Sequence, residues 1–133
     1  KTATTNMFGP IALSVPPGKS EAVSTCTQNG SGPVTIITSS PHMHKTGVGG
    51  KLEIVRADGK VEVLDDSPFN QEDQTVTPVN AVLNRGDKVR TTCKFNNMTN
   101  QTKRFGESTE DEMCFNFARY YPKGALSCSG LGL

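Results

Sequence analysis

Short segments of alternating apolar and polar residues, separated by glycine, proline and asparagine turns, run through most of the 133-residue chain. A period of two is typical of strands that place one face in a core, and no segment keeps the 3.6-residue period of an amphipathic helix. The segments 51–56 and 60–64 flank Asp58-Gly59, a pair that favours a tight hairpin. This pattern restricts the chain to an all-β architecture.

The remaining strand candidates, in chain order, are 11–15, 21–27, 34–44, 75–82, 88–95 and 113–121. Pro41 predicts an edge or a bulge in the long segment 34–44, because proline cannot donate to a sheet ladder. One helical turn is predicted at 108–112, where Ser108 offers an N-cap followed by acids. We therefore predict an antiparallel, jelly-roll-like β-sandwich of eight or nine strands, forming a single domain over residues 1–133.

Composition and charge argue against two classes of partner. Lys and Arg number 14 against 13 Asp and Glu, a net charge of +1 that gives no basis for binding nucleic acid. Apolar runs such as 34–37 are far shorter than the ~20 residues needed to span a bilayer, so no membrane insertion is expected. The chain begins at Lys1 with a threonine-rich polar segment and no signal peptide, as expected of a processed or excised piece.

The four cysteines, Cys26, Cys93, Cys114 and Cys128, are widely separated and lack zinc-finger spacing. An even number at such separations predicts two disulfides in an oxidising compartment, with three pairings open. We favour this over four free buried thiols. The protein is accordingly expected to be secreted or periplasmic.

The chain has two histidines, His42 and His44, and they lie two residues apart in a predicted strand. Side chains at i and i+2 project from the same side of a strand, so both imidazoles can reach one point, while Met43 is aimed at the opposite face. This arrangement predicts a metal site that lacks a third donor, which a cysteine, a carboxylate or a methionine could provide. Copper and zinc both stay open at this stage. The competing interpretation is two ordinary polar positions at a strand end.

Met113 is a candidate third donor because it follows the acidic residues 110–112 and precedes Cys114, an unusual setting for a core side chain. Its thioether is a soft ligand that suits Cu(I). If Cys114 forms a disulfide, its neighbour is held rigidly, as a metal ligand should be. The acids Glu110, Asp111 and Glu112 themselves are expected to form a solvated turn rather than acid–base machinery.

Two longer stretches resemble a known enzyme family. They are Pro41-His42-Met43-His44-Lys45-Thr46-Gly47 and Glu112-Met113-Cys114-Phe115-Asn116-Phe117-Ala118-Arg119-Tyr120-Tyr121-Pro122. With Val15-Pro16-Pro17-Gly18 and the Gly86-Asp87 turn, they resemble the C-terminal half of the catalytic core of copper- and ascorbate-dependent monooxygenases. Familiar members are peptidylglycine α-hydroxylating monooxygenase and dopamine β-monooxygenase. The resemblance runs from about residue 7 to residue 128.

The resemblance implies that His42, His44 and Met113 are the protein ligands of one copper ion per chain. That copper would bind and activate dioxygen for C–H hydroxylation of an organic substrate. The resemblance also implies the pairings Cys93–Cys114 and Cys26–Cys128.

The departures from the family pattern limit what the resemblance implies. Full-length members carry an N-terminal domain with a three-histidine copper, and this chain has no further histidine for one. Electrons are therefore expected from a separate copper or haem domain, and the isolated chain is expected to be inactive in coupled hydroxylation. Ser40, Phe115 and Phe117 replace the arginine, asparagine and tyrosine of the peptide-hydroxylating branch, which disfavours a peptide substrate with a free carboxylate. The alternative functions are a non-catalytic copper carrier or sensor and, less favoured, a plain interaction module.

Overall fold

The computed structural model describes residues 3–123, and the regular structure within that range is all strand. The strands are β1 (Thr4–Phe8), β2 (Ser14–Val15), β3 (Gly18–Thr27), β4 (Val34–Ser39), β5 (Pro41–His42), β6 (Gly47–Val55), β7 (Val61–Pro68), β8 (Thr77–Leu83), β9 (Lys88–Asn97), β10 (Lys103–Arg104) and β11 (Phe115–Tyr121). No helix in the described range has the length and apolar character to cross a membrane.

Eight of these strands, each five residues or longer, form two antiparallel sheets. Sheet I has the order β3-β9-β6-β7, and sheet II has the order β1-β11-β4-β8 with the short β5 beside β11. The strands β2 and β10 pair separately. The β6–β7 hairpin turns at Gly59, whose φ of 94° suits the predicted Asp-Gly turn. The all-β, antiparallel sandwich predicted from alternation is confirmed.

The main hydrophobic core lies between the two sheets. Leu52, Ile54 and Val89 from sheet I meet Ile36 and Tyr120 from sheet II, and all of these are at most 5% exposed. Burying one such aliphatic side chain stabilises the fold by about 1.5–3 kcal/mol relative to leaving it exposed. The core thus holds the sheets face to face.

A second apolar cluster includes Val15, Met43 and Phe95 together with the disulfide between Cys93 and Cys114. This bond joins β9 of sheet I to the residue before β11 of sheet II, and it is the pairing that the resemblance implies. For the other pairing, Cys26 is buried on β3, and Cys128 lies outside the described residues.

The predicted strand 34–44 is interrupted at Ser40, so that it becomes β4 and β5. The Ser40 N–H donates to Asn116 Oδ1 at 3.0 Å, and its carbonyl accepts from the Phe117 N–H at 2.9 Å. Because Pro41 has no N–H to continue the ladder, the break falls where the sequence predicted an irregularity. The two histidines follow this break in the chain.

Two other local predictions need correction. Residues 108–112 form a turn closed by the Asp111 N–H and the Ser108 carbonyl at 2.9 Å, not a helical turn. The strand β1 was not predicted, since its sequence is largely polar, yet it pairs with β11 over five residues. Hydrogen bonding to β11 therefore stabilises this strand, although its own sequence gives only a weak strand signal.

Candidate metal centre

The two histidines lie where β5 meets the start of β11, with His42 opposite Phe115 in the ladder. Their ring centroids are 5.5 Å apart and the rings are perpendicular. Met43 between them is 0% exposed and packs in the second apolar cluster. The middle residue therefore points away from the histidine pair, as strand alternation predicts.

Glycines on β6 allow the His-x-His segment to lie close against sheet I. A Cβ atom at Gly47 would lie 2.5 Å from Met43 Cβ, and one at Gly50 would lie 2.6 Å from Pro41 Cβ. Real side chains cannot approach so closely, so these two positions require the absence of a side chain. The close contact with these two glycines fixes the distance between the His-x-His segment and sheet I.

The orientation of each imidazole is set by a hydrogen bond to Nδ1. His44 Nδ1 lies 3.0 Å from the backbone carbonyl oxygen of Asp111, which can only accept. His42 Nδ1 lies 3.0 Å from Gln74 Oε1, and the amide of Gln74 is oriented by donation from its Nε2 to the Gln71 carbonyl at 3.1 Å. Both Nδ1 atoms are therefore donors, which leaves the lone pair of each neutral ring on Nε2.

Aromatic packing further restricts the outer imidazole. The centroids of the Phe117 and His42 rings are 5.2 Å apart in an edge-to-face arrangement. The centroids of the Phe117 and Phe115 rings are 6.2 Å apart. Residues 115 and 117 lie on the same face of β11 because they are two apart. His42 thus packs beside an aromatic pair formed by Phe117 and Phe115.

Met113 lies two residues before the start of β11 and is half-buried. Its N–H donates to Glu112 Oε1 at 2.9 Å, and the next residue, Cys114, is tied to Cys93. Asp111, two residues before Met113, supplies the carbonyl that orients His44. The structure therefore brings residues 111–112 against His44 and anchors the backbone on both sides of Met113, while the assignment of the Met113 thioether as a metal ligand stays a prediction.

The expectation of a solvated acidic turn is right for Glu110 and wrong for Glu112. Glu110 is exposed and pairs with Lys45. Glu112 is 0% exposed, and its carboxylate accepts hydrogen bonds from His44, Thr46 and Met113. Sequence reasoning missed Glu112 and Gln74; the one available signal was the position of Glu112 beside Met113 and a cysteine expected in a disulfide.

The structure brings the two imidazoles together, and Met113 lies on the segment whose backbone and acidic side chain contact His44. Among residues 3–123, no three His, Cys, Asp or Glu side chains converge as a metal site of those residue types would require. Two imidazoles and one thioether form a set that suits copper, because the imidazoles serve either oxidation state and the soft sulfur favours Cu(I).

Comparison with known proteins agrees with this geometry. A family model described as copper type II ascorbate-dependent monooxygenase, C-terminal domain, matches residues 4–129. Dopamine beta-hydroxylase of the dog, Canis lupus familiaris, is 32% identical over 133 residues, covering 90% of this chain and 21% of its own length. DBH-like monooxygenase protein 1 of the mouse, Mus musculus, is 31% identical over 102 residues, covering 68% of this chain and 16% of its own length.

Among solved structures, one of infectious bursal disease virus, Gx strain, covers 96% of this chain and 34% of that chain, with 11% identity and a TM-score of 0.43. A likeness at that level carries no argument about function. The chain spans about a fifth or less of the length of the sequence relatives. The chain belongs to the copper type II ascorbate-dependent monooxygenase family, in which it matches the C-terminal domain.

Proposed function

We propose that this chain is the mononuclear copper-binding, dioxygen-activating domain of a monooxygenase that hydroxylates C–H bonds. One copper ion per chain would be held by His42 Nε2, His44 Nε2 and the Met113 thioether. The observation that carries the proposal is the commitment of both Nδ1 atoms to fixed acceptors, since it leaves two Nε2 lone pairs available on neighbouring rings.

Each part of the site has a separate task in this proposal. Gln74 and the Asp111 carbonyl hold the rings in one tautomer and one orientation. Phe117 covers one side of His42 and limits access of water to it. Bound copper would supply the one-electron chemistry with dioxygen that no amino-acid side chain provides.

The electron balance requires a partner. Inserting one oxygen atom of O₂ into a C–H bond and releasing the other as water consumes two electrons and two protons. We assign those electrons to ascorbate or a similar reductant, passed through a copper or haem domain outside residues 1–133. We further propose secretion to an extracellular or periplasmic compartment, in which the Cys93–Cys114 disulfide persists.

Replacing Met113 by isoleucine tests the ligand set directly. We expect the variant to bind Cu(I) at least ~10-fold more weakly, a loss of about 1.4 kcal/mol, because a similar volume is kept while the sulfur donor is removed. Competition titration against a chromophoric Cu(I) chelator measures both affinity and stoichiometry. The matched control is Met98→Ile, since Met98 is 89% exposed and far from the histidines in sequence.

Equal Cu(I) affinity in Met113→Ile and the wild type would remove Met113 from the ligand set. Oxygen uptake then separates an enzyme from a carrier. The copper-loaded chain, given ascorbate and a redox mediator, should consume O₂ faster than the Met113→Ile variant. A chain that binds one Cu(I) through these ligands and shows no such difference would instead be a copper carrier or sensor.

A further inference from the structure

We propose that Glu112 is the positioning residue of this metal centre, and that it sets the separation between the His44 and Met113 backbones. The inference rests on the proposed function, because it concerns how the ligand residues are held together. Glu112 would not itself contact the metal.

One oxygen of Glu112 bridges the two ligand residues. Glu112 Oε1 accepts the backbone N–H of His44 at 2.5 Å and the backbone N–H of Met113 at 2.9 Å. These residues are 69 positions apart in the chain, yet they share one acceptor atom. The carboxylate therefore fixes the two backbones at a defined distance from each other.

The second oxygen fastens the turn that follows the histidines. Glu112 Oε2 accepts the Thr46 N–H at 3.1 Å and the Thr46 Oγ1–H at 2.6 Å. Both oxygens thus have two donors each, which fills the acceptor capacity of a carboxylate. No lone pair is left for a metal ion, which excludes Glu112 as a ligand. Glu112 instead acts as a clamp, meaning that its carboxylate holds the backbones of His44, Thr46 and Met113 together.

The clamp is itself rigid. The Glu112 N–H donates to the Arg104 carbonyl at 2.9 Å, and the Glu112 carbonyl accepts from the Gly106 N–H at 3.2 Å. The side chain is 0% exposed, so its hydrogen bonds are protected from competing water. Two residues later the Cys114 disulfide fixes the chain to sheet I. Met113 is therefore held between two anchors, of which only Glu112 also holds His44.

The test is Glu112→Gln in the complete chain. An amide presents one acceptor oxygen and an NH₂ group, which cannot accept from Thr46 or His44, so at least one side of the clamp is lost. We expect Cu(I) affinity to fall by about tenfold. We also expect X-ray absorption at the copper edge to show retained nitrogen scattering and a diminished sulfur contribution, because Met113 is no longer held in reach.

The matched control is Glu110→Gln, which makes the same chemical change at the exposed Glu110, two residues away. It should leave both the affinity and the sulfur signal unchanged. A role of Glu112 limited to fold stability would lower the melting temperature of the metal-free chain without changing the ratio of sulfur to nitrogen scattering. That result, or a wild-type spectrum and affinity in Glu112→Gln, overturns the inference.

Two further outcomes are distinguishable. If the wild type binds no Cu(I), or binds it with no sulfur contribution, the proposed function fails. If Glu112→Gln does not fold, Thr46→Val takes its place, since it removes only the Oγ1–H donor and keeps the shape of residue 46. We expect a smaller weakening of the sulfur signal in Thr46→Val, and an unaltered signal there counts against the clamp.

Discussion

The two imidazoles take their orientation from acceptors that lie far away in sequence. Gln74 is 32 residues from His42, and Asp111 is 67 residues from His44. One acceptor is a side chain on the surface and the other is a backbone carbonyl, so only the first can be changed by substitution. Gln74 is therefore the position at which ring orientation can be tested.

Replacing Gln74 by leucine should weaken Cu(I) binding by about tenfold, because the His42 ring loses the acceptor that fixes its tautomer. In the metal-free protein, ¹⁵N NMR should show the wild-type His42 ring protonated at Nδ1 and the variant ring as a mixture of tautomers. Gln71→Leu is the control, since Gln71 contributes its backbone carbonyl to this network. A wild-type tautomer in Gln74→Leu would show that another contact orients the ring.

At the residue scale, the sequence indicates the candidate metal ligands better than it indicates the residues that hold them in place by hydrogen bonds. The His-x-His spacing predicts a metal site at His42 and His44, and the resemblance of the two longer stretches to the family implies copper with Met113 as the third ligand. Gln74 lies in a polar loop with no distinguishing pattern. Glu112 looks like one more surface acid, because its burial depends on N–H groups up to 68 residues away that local periodicity cannot locate.

The glycines of β6 determine how closely the His-x-His segment packs against sheet I. Gly47 lies beneath Met43, and Gly50 lies beneath Pro41, so the two glycines follow the His-x-His segment along its length. A larger residue at either position would push the histidine segment outward from sheet I. Strand β6 therefore supports the histidine segment of the candidate metal centre.

Replacing Gly47 by alanine should destabilise the protein by about 1–3 kcal/mol, because the new methyl group would overlap Met43 in a closely packed cluster. Thermal or urea unfolding of the metal-free chain measures this. Gly49→Ala, on the same strand, is the control, because its Cβ would lie 3.3 Å from the flexible Lys94 side chain and in ordinary contact with the Ser67 carbonyl oxygen at 3.7 Å. Equal losses in the two variants would mean that contact with Met43 does not determine the cost.

Element prediction from sequence succeeds where alternation and turn chemistry act together. The β6–β7 hairpin follows from Asp58-Gly59 and the alternating residues on either side. The interruption at Ser40 was indicated by Pro41, although its hydrogen bonds to β11 could not be foreseen. The strand β1 gives no such signal, since an edge strand with polar residues relies on its partner for definition.

For the molecule as a whole, one polar cluster joins the two sheets at their edge. Asp87, in the turn between β8 of sheet II and β9 of sheet I, accepts hydrogen bonds from Arg56 at 2.8 Å and from the Asn84 N–H at 2.8 Å. Arg56 follows β6, pairs also with Glu62 and donates to the Val82 carbonyl. The cluster therefore connects the hairpin of sheet I with the end of β8.

Acid should weaken this connection in a defined direction. Burial alone raises the pKa of Asp87, but the hydrogen bonds from Asn84 and Arg56 outweigh burial and lower that pKa below its ordinary value of 3.8. A carboxyl whose folded-state pKa is depressed adds stability above its unfolded value. That stability is lost as the pH falls through the folded value. The contribution of Asp87 is therefore complete at neutral pH and disappears below about pH 4.

Replacing Asp87 by asparagine should lower the free energy of unfolding at neutral pH by roughly 1.5–3 kcal/mol, because charge-assisted hydrogen bonds are lost. Below about pH 4 the difference from the wild type should shrink, since the wild-type carboxyl is then becoming protonated. Melting temperatures between neutral and acidic pH measure both effects. Asp73→Asn, at an exposed position, is the control. A constant difference across the range would contradict the linkage.

The Cys93–Cys114 disulfide has a consequence for the biogenesis of the protein. Before oxidation the chain would present two thiols within 21 residues of each other, one of them adjacent to Met113. Thiolates are stronger ligands for Cu(I) than a thioether, so copper delivered at that stage would be captured by the wrong sulfur atoms. If copper binds as proposed, oxidative folding would have to precede metallation. Once the bond has formed, neither sulfur is a thiolate, so the copper proposed for this site would be loaded correctly only after the disulfide is in place.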